Sequence, residues 1–245
     1  MAELAARIGR QEDAERLLER CLELAPGFQA ARQNYALVLH RGNKPREALE
    51  QIETLLAAEP RNPNYRNLKA VVLCRTGDYE QAIALYDGIL REHPGQAKIW
   101  ISQGHALKTA GHTDRAIAAY RRSLAVDPSC GEVWWSLANL KTFKFSDADV
   151  AAMQAQLARP GLSPEDVQHL HFALGKALED RADYAAAFGV WIRGFQQVKQ
   201  DSSSSVNKAM FVSVPGRPGR SVPWAAPSRA AICHQPKIEA RTYLP

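Results

Sequence analysis

The side chains best able to bind a metal ion or attack a substrate are scattered along this sequence. His169 and His171 are the closest histidine pair, but two positions apart on a helix they point about 200° away from each other and cannot share a metal. No Ser-His-Asp set, paired carboxylates or phosphate-binding glycine loop can be recognised. We therefore expect no catalytic site, no metal and no cofactor, and we predict that the chain is not an enzyme.

The cysteines also lack a pattern that would support chemistry. None of them forms a C-x-x-C pair, and none has histidines at the spacing of a zinc site. A disulfide framework is not expected in a chain of 245 residues rich in leucine and alanine. We expect reduced thiols at all four positions, Cys21, Cys74, Cys130 and Cys233.

The strongest pattern in the sequence is an internal repeat of about 34 residues, a length typical of helical hairpins that stack and bury a shared core. Prolines recur at equal intervals as Pro26, Pro60, Pro94 and Pro128. An alanine lies twelve residues before each proline, as Ala14, Ala48, Ala82 and Ala116, and large apolar residues follow it at four and eight positions. Because residue type and spacing agree over four periods, the pattern predicts an array of such hairpins.

Each recurrent position has a structural reason. A small residue in the first helix of a hairpin, such as Gly104, lets the second helix approach closely. Gly77 can adopt the left-handed conformation that ends the first helix, and Asp78 can then cap the second helix through a backbone N–H. The proline ends the second helix because it lacks an amide proton. Tryptophans at 100, 134 and 191 fall in core positions, so Trp100→Ala is expected to cost about 3–5 kcal/mol.

The repeat divides the chain into six units. The fifth is irregular: Ser146 should cap a helix to Arg159, Pro160 and Gly161 should break it, and Ser163 should cap the next helix. The interval from Ala116 to Ala187 is two periods plus three positions, which predicts a small insertion in unit five. The first unit lacks the start of its first helix, so we expect the array to extend upstream or to fray here. The predicted units are residues 1–28, 29–62, 63–96, 97–130, 131–167 and 168–198.

The charge of the chain is concentrated in its last residues. The net charge is +5, but residues 201–245 hold six basic and two acidic side chains, which leaves 25 and 24 for residues 1–200. The repeats are thus nearly neutral, and no stripe for a nucleic acid backbone is visible, so no specific nucleic acid partner is expected. No apolar run is long enough for a membrane span or a signal peptide. We expect a cytoplasmic protein; the sequence makes no prediction of its oligomeric state.

Residues 199–245 do not follow the repeat. They contain a serine run at 202–205 and six of the fourteen prolines, interleaved with glycine and arginine. One interpretation is a disordered basic tail. The other is a shift of reading frame near residue 199, since a misread GC-rich frame would give this composition. Both interpretations stay open.

The repeated positions resemble the tetratricopeptide repeat family over about residues 1–197. The resemblance implies an all-α fold, an α-solenoid of about six antiparallel helical hairpins in a right-handed superhelix, followed by an irregular C-terminal tail. It also implies binding of a protein or peptide in a concave groove lined by fixed positions of the first helices. The sequence departs from the family where the first-helix tryptophan position holds Arg32 and Arg66.

The groove positions implied by this resemblance combine amides, cations and apolar side chains, which suit an extended peptide. They are Gln33, Leu37, His40 and Arg41 in unit two; Asn64, Asn67, Val71 and Arg75 in unit three; Lys98, Ile101, His105 and Lys108 in unit four; and Glu132, Trp135, Asn139 and Phe143 in unit five.

A narrower resemblance covers residues 131–197. The strings WWSLANLKTFKFSDADVAAM and LSPEDVQHLHFALGKALEDRADYAAAFGVWIRGFQQ are similar to the repeats that precede the catalytic domain of bacterial tetratricopeptide-sulfotransferase proteins. In that family a strand and a G-x-P-R-S-G-type loop would follow to bind the sulfate donor. Residues 214–221 hold similar letters in the wrong order, and Pro223 follows where a helix should begin.

Three functions agree with the sequence. The first is a stand-alone protein-binding scaffold. The second is the amino-terminal repeat portion of a sulfotransferase whose catalytic domain is missing from this chain. The third is binding to an anionic surface through the basic tail, which would depend steeply on salt. We rank them in that order.

Overall fold

The computed structural model describes the backbone of residues 10–200 and the side chains up to residue 195. The described residues all lie within one compact unit. The predictions made for residues 1–9, for the tail beyond residue 200 and for Cys233 lie outside the described residues.

Residues 10–200 form eleven α-helices and no strand. The predicted all-α fold is therefore confirmed over this part of the chain. None of these helices is long and apolar enough to cross a membrane. The helices are α1 (Gln11–Leu24), α2 (Gln29–Arg41), α3 (Pro45–Ala58), α4 (Pro63–Thr76), α5 (Tyr79–Glu92), α6 (Ala97–Thr109), α7 (Thr113–Val126), α8 (Gly131–Ala138), α9 (Asp147–Leu157), α10 (Pro164–Asp180) and α11 (Tyr184–Gln200).

The helices pack as stacked hairpins. Within a hairpin α2 packs on α3, α4 on α5, α6 on α7 and α10 on α11, and each second helix also contacts the first helix of the next hairpin. One core, with Tyr86, Tyr120 and Leu137 at its centre, runs through the later hairpins. A Cβ atom on Gly104 would lie 2.4 Å from Cε1 of Tyr120, so a small residue is required where α6 meets α7. This confirms the predicted solenoid, in which no hairpin buries its apolar face alone.

The helix ends follow local chemistry, with one exception. Second helices end at Leu24, Ala58, Glu92 and Val126, each two residues before a repeat proline. Gly77 has φ of 90°, the predicted left-handed conformation. Ser146 and Ser163 cap α9 and α10 through their hydroxyl oxygens, as predicted. The predicted cap at Asp78 is wrong, because its carboxylate instead accepts a hydrogen bond of 2.7 Å from the Thr76 hydroxyl.

The additional residues of the array lie in the last hairpin and not in unit five. Helices α6, α8 and α10 begin at residues 97, 131 and 164, so unit five has nearly the ordinary length. Helix α10 has 17 residues, whereas α6 has 13. Because α10 begins at Pro164, the predicted unit boundary at 167/168 would cut through this helix. The interval from Ala116 to Ala187 gave the total of three additional residues. It could not show which of the two units between these alanines contains them.

The side chains at the tryptophan position of the first helices donate a hydrogen bond to the carbonyl of the preceding repeat proline. They differ in how deeply they are buried. The indole N–H groups of Trp100 and Trp134 donate to the carbonyls of Pro94 and Pro128, at 2.9 and 3.0 Å. Arg32 Nη2 makes the equivalent bond to the Pro26 carbonyl at 2.7 Å, so this departure from the family pattern keeps the donor. Trp134 is only 3% exposed, whereas Trp100 is half-buried. The core assignment therefore holds fully for Trp134 and only in part for Trp100.

Candidate functional site

The side chains predicted to line a groove lie on successive first helices or directly after them. We use the name first-helix face for those members of this set that are exposed or half-buried on α2, α4, α6 and α8. Asn139, at the end of α8, is included. Arg41, Asn64, Arg75, Lys98, Lys108, Glu132 and Asn139 are exposed; Gln33, Leu37, His40, Asn67, Val71, His105 and Trp135 are half-buried. Phe143 is half-buried in the loop after α8, where the guanidinium carbon of Arg121 lies 5.2 Å from its ring centre.

Ile101 was predicted to line the groove, but it is too deeply buried to contact a ligand. Ile101 is only 8% exposed and belongs to the core of the later hairpins. Its position on α6 is equivalent to those of Asn67 and Trp135, but its branched apolar side chain is buried by its neighbours. It can support the surface from below, whereas a ligand would contact the side chains around it.

Neighbouring first helices contact each other along this face. Arg75 Nη2, at the end of α4, donates to Asn43 Oδ1 beyond α2 at 3.4 Å. His105 Nε2 on α6 lies 3.3 Å from Glu132 Oε1 on α8. The side chains therefore form one surface that crosses several repeats, which a ligand longer than one repeat could contact throughout.

His105 is held by two neighbours and has no free ring nitrogen. Its Nδ1 lies 2.9 Å from the Tyr120 hydroxyl, and its Nε2 faces Glu132. The hydrogen bond from His105 lowers the pKa of Glu132, although burial opposes this. Burial raises the pKa of Tyr120 to about 12, so the phenol stays protonated. The Nε2–H of His105 donates a hydrogen bond to the Glu132 carboxylate, so Nδ1 carries no proton and accepts a hydrogen bond from the Tyr120 hydroxyl. His105 thus joins α6, α7 and α8 instead of offering a base to a substrate.

Positive charge dominates the part of the face between α2 and α4. Burial, followed by the charges of Arg75 and Arg41, lowers the pKa of His40. The Nδ1 atom of His40 and the Oδ1 atom of Asn67 are buried without a hydrogen-bond partner in the described part of the chain. Because neither atom is accessible, a ligand could bond them only after the side chains around them move.

The face ends in an aromatic cluster that sequence reasoning missed. Helix α10 runs beside α8 in the same direction, because Gly131 N donates to Asp166 Oδ1 at 2.8 Å and Trp135 lies over His169. The Trp135 and His169 rings are stacked at 6.5 Å between centroids, and Phe172 and Phe195 extend the cluster at 5.7 and 5.1 Å. His169 follows Trp135 by one period of the repeat, so extending the period would have found it.

His171 lies on another side of α10 from His169. Its Cβ is close to Gly194 of α11, and burial, followed by the charge of Arg193, lowers its pKa. No group of three or more metal-ligating side chains comes together in residues 10–195. Cys21, Cys74 and Cys130 are free thiols, and burial raises the pKa of Cys74 and Cys130.

A cavity of about 410 Å³ lies away from the first-helix face, between α5 and α6. Its acidic group is Asp87, whose two oxygens accept hydrogen bonds from Gln103 and Arg115 at 2.6 and 3.2 Å. These bonds leave the carboxylate engaged with its own chain. The cavity is lined by Asp87, Leu90, Arg91 and Trp100.

Comparison with known proteins identifies the repeats. Two family models described as tetratricopeptide repeat match residues 36–97 and 74–141. Among curated proteins, no sequence matches the chain.

Solved structures agree in fold. PilF of Pseudomonas aeruginosa is 20% identical, with a TM-score of 0.56 over 83% of this chain and 90% of its own. A crystal structure of MamA is 11% identical, with a TM-score of 0.51 over 83% and 98%. MamA from Desulfovibrio magneticus RS-1 is 14% identical, with a TM-score of 0.51 over 82% and 92%. At these identities the likeness shows the fold alone.

Proposed function

Because residues 36–141 belong to the tetratricopeptide repeat family, we propose that this protein is a scaffold that holds an extended polypeptide segment on its first-helix face. The observation that carries the proposal is the continuity of this face from α2 to α8 and its extension by the aromatic cluster onto α10. Successive helices add amides, cations and half-buried apolar side chains at equivalent positions. Arg75 links α4 to the turn after α2, His105 links α6 to α8, and Trp135 links α8 to α10.

The size of the face suits a peptide of moderate length. Five first helices spaced about 8–10 Å apart give a strip roughly 35 Å long, which is the length of about ten extended residues. Asn64, Asn67 and Gln33 can bond a peptide backbone, which alternates donors and acceptors along such a strip. Leu37, Val71 and the aromatic cluster can contact its apolar side chains.

A double substitution on the face tests the proposal. Peptides would first be selected on the full chain from a random twelve-residue phage library, and their Kd measured by fluorescence anisotropy. We expect Asn67→Ala with Lys98→Ala to weaken binding at least about tenfold, which corresponds to about 1.4 kcal/mol. These side chains lie on α4 and α6, so one peptide can contact both.

The matched control is Gln81→Ala with Arg122→Ala. It also removes one amide and one cation, but from exposed positions on the second helices α5 and α7. We expect this variant to bind as the wild type does. Equal binding by wild type and the face variant, with loss in the control, would place the binding surface elsewhere and overturn the proposal.

We propose as the second candidate that these repeats are the amino-terminal part of a larger protein with a sulfotransferase domain. The observation that favours it is an apolar stripe on α11, formed by Tyr184, Phe188, Ile192 and Phe195, which are 39% to 66% exposed. Their spacing of four, four and three residues places them on one side of the helix. A solenoid that ends at this helix would need a polar outer surface, so a further folded element would suit the stripe.

The second candidate predicts that another reading frame encodes the missing domain. The encoding DNA would be sequenced across codon 199 and translated in all three frames. We expect one other frame to continue with a helix, a strand and a G-x-P-R-S-G-type loop, and we expect no binding of the nucleotide sulfate donor by the present chain in calorimetry. Early stop codons in both other frames, or donor binding by this chain, would contradict this candidate.

A further inference from the structure

Acidic and basic side chains are separated between the two kinds of helix in the first half of the array. The first helices α2, α4 and α6 contain seven lysine or arginine residues and no aspartate or glutamate. The second helices α1, α3 and α5 contain eleven acidic and four basic residues. From α1 to α6 the near-neutral total therefore hides a division into basic first helices and acidic second helices. The division ends there, because α7 contains three arginines and one aspartate.

Three of the seven cations form ion pairs or hydrogen bonds with residues of the second helices or of the loop that precedes α2. Arg66 and Lys69 form ion pairs with Glu92 and Glu53 at 2.9 and 2.5 Å. The Arg32 guanidinium bonds Gln51 and the Pro26 carbonyl. These three cations therefore contribute to packing within the solenoid.

The other four cations are exposed on the first-helix face. None of them has a carboxylate within 4.0 Å in the part of the chain whose side chains are described. Arg41, Arg75 and Lys108 lie in the last turns of α2, α4 and α6, and Lys98 lies in the first turn of α6. The three helix-end cations thus recur along the solenoid about one period apart.

Helix stability does not account for this distribution. A cation in the last turn does stabilise a helix, but the dipole favours acidic residues in the first turn. Helices α2, α4 and α6 have no acid there, whereas α1, α3, α5 and α7 each have at least one. Lys98 even places a cation at the unfavourable end of α6. The face keeps its positive charge where helix stability alone would favour acids.

We propose that the first-helix face binds an acidic polypeptide segment whose carboxylates pair with Arg41, Arg75, Lys98 and Lys108. This inference rests on the proposed function and states the chemistry of the ligand. Four exposed cations without carboxylate partners form a surface that an anionic chain complements, and their separation along successive helices favours acids distributed along the segment.

The surroundings of these cations favour a peptide over nucleic acid. Leu37 and Val71 lie one helical turn before Arg41 and Arg75, are half-buried, and suit the apolar side chains of a peptide. Single-stranded nucleic acid is usually held by aromatic rings on which bases stack. None of the exposed large apolar side chains of the described residues lies on α2, α4 or α6.

The test is selection from the random twelve-residue phage library on three full-length proteins. The proteins are the wild type, the face variant R41Q/R75Q/K98Q/K108Q, and the control R46Q/R61Q/R91Q/R122Q. The control removes the same charge from exposed residues that form no ion pair among the described side chains. Circular dichroism would first establish that all three proteins are equally helical.

We expect peptides selected on the wild type and on the control to be enriched at least about threefold in aspartate and glutamate over the input library. For the best such peptide, we expect the face variant to bind at least about tenfold more weakly than the wild type, and the control to bind within about twofold of it.

Each other outcome overturns part of the proposal. Neutral peptides that depend on Asn67 and Lys98 would overturn the inference and leave the proposed function standing. Acidic peptides that bind the face variant as tightly as the wild type, or a failure to select any peptide, would overturn both. Tighter binding of a twelve-nucleotide uridine RNA than of the best peptide would overturn the inference in favour of a nucleic acid ligand.

Discussion

Replacing Trp134 with alanine is expected to lower the free energy of unfolding by about 3–5 kcal/mol, the usual cost of truncating a buried aromatic side chain. Trp134 is 3% exposed, packs 6.1 Å from the ring centre of Phe145, and donates its indole N–H to the Pro128 carbonyl. Its loss would leave a cavity where α8 meets the loop that leads to α9. The measurement is urea unfolding followed by circular dichroism at 222 nm.

Trp100→Ala is the matched control for this substitution. Trp100 lies one period earlier and makes the same hydrogen bond to the Pro94 carbonyl, but it is half-buried. Both variants lose the bond, so the difference between them measures burial. We expect a clearly smaller loss for Trp100→Ala. Equal losses would mean that the shared hydrogen bond, and not burial, determines the contribution of this position.

The second large effect is expected at Asp149, the acid that joins α7 to α9. Its carboxylate accepts bonds from both terminal nitrogens of Arg121, of which the Nη2 bond measures 2.7 Å, and from the Ser146 N–H and hydroxyl at 2.9 Å. Asp149 is 7% exposed. We expect Asp149→Ala to cost about 2–4 kcal/mol, below the roughly 3–5 kcal/mol for a fully buried pair because Arg121 reaches solvent.

Asp147→Ala is the control for the loss at Asp149. Asp147 lies in the same first turn of α9 and pairs with Arg181 at 2.7 Å, but its side chain is 98% exposed. Exposed ion pairs contribute about 0–1 kcal/mol. Urea unfolding of both variants should therefore separate them clearly. A loss at Asp147 as large as that at Asp149 would show that the acidic first turn, and not the buried pair, stabilises α9.

The contribution of Asp149 should also depend on pH. Burial alone would raise the pKa of this carboxyl, but the hydrogen bonds from Arg121 and Ser146 and the charge of Arg121 outweigh it and lower the pKa. The stabilisation is thus fully present above the ordinary aspartate pKa of about 3.9 and is lost as the pH falls through the lower folded value. The stability difference between wild type and Asp149→Ala should be constant from neutral pH to about pH 5 and shrink on further acidification. A constant difference down to pH 2 would contradict this explanation.

The sequence by itself determined the period of the array and most helix ends. Pro60 and Pro94 end second helices, Gly77 turns with positive φ, and Ser146 and Ser163 cap helices because these effects involve groups within about four residues along the chain. The proposed face on the first helices came from the resemblance to the tetratricopeptide repeat family, and the period only numbered its positions. Extending the same period by one unit would have added His169 to it.

The tertiary structure decided burial and charge pairing. Trp100 and Trp134 occupy equivalent positions, yet only Trp134 is covered, because Phe145 and the loop after α8 pack on it. Ile101 was predicted on the surface and is buried, since neighbouring helices surround it.

The same holds for the cations of α4. Arg66 is paired with Glu92 on the following helix, whereas Arg75 has no acid within reach among the described side chains. Two arginines on one helix look alike in the sequence because their partners lie on other helices. Burial and ion pairing depend on contacts between distant segments, and only the packed hairpins determine which cations stay available to a ligand.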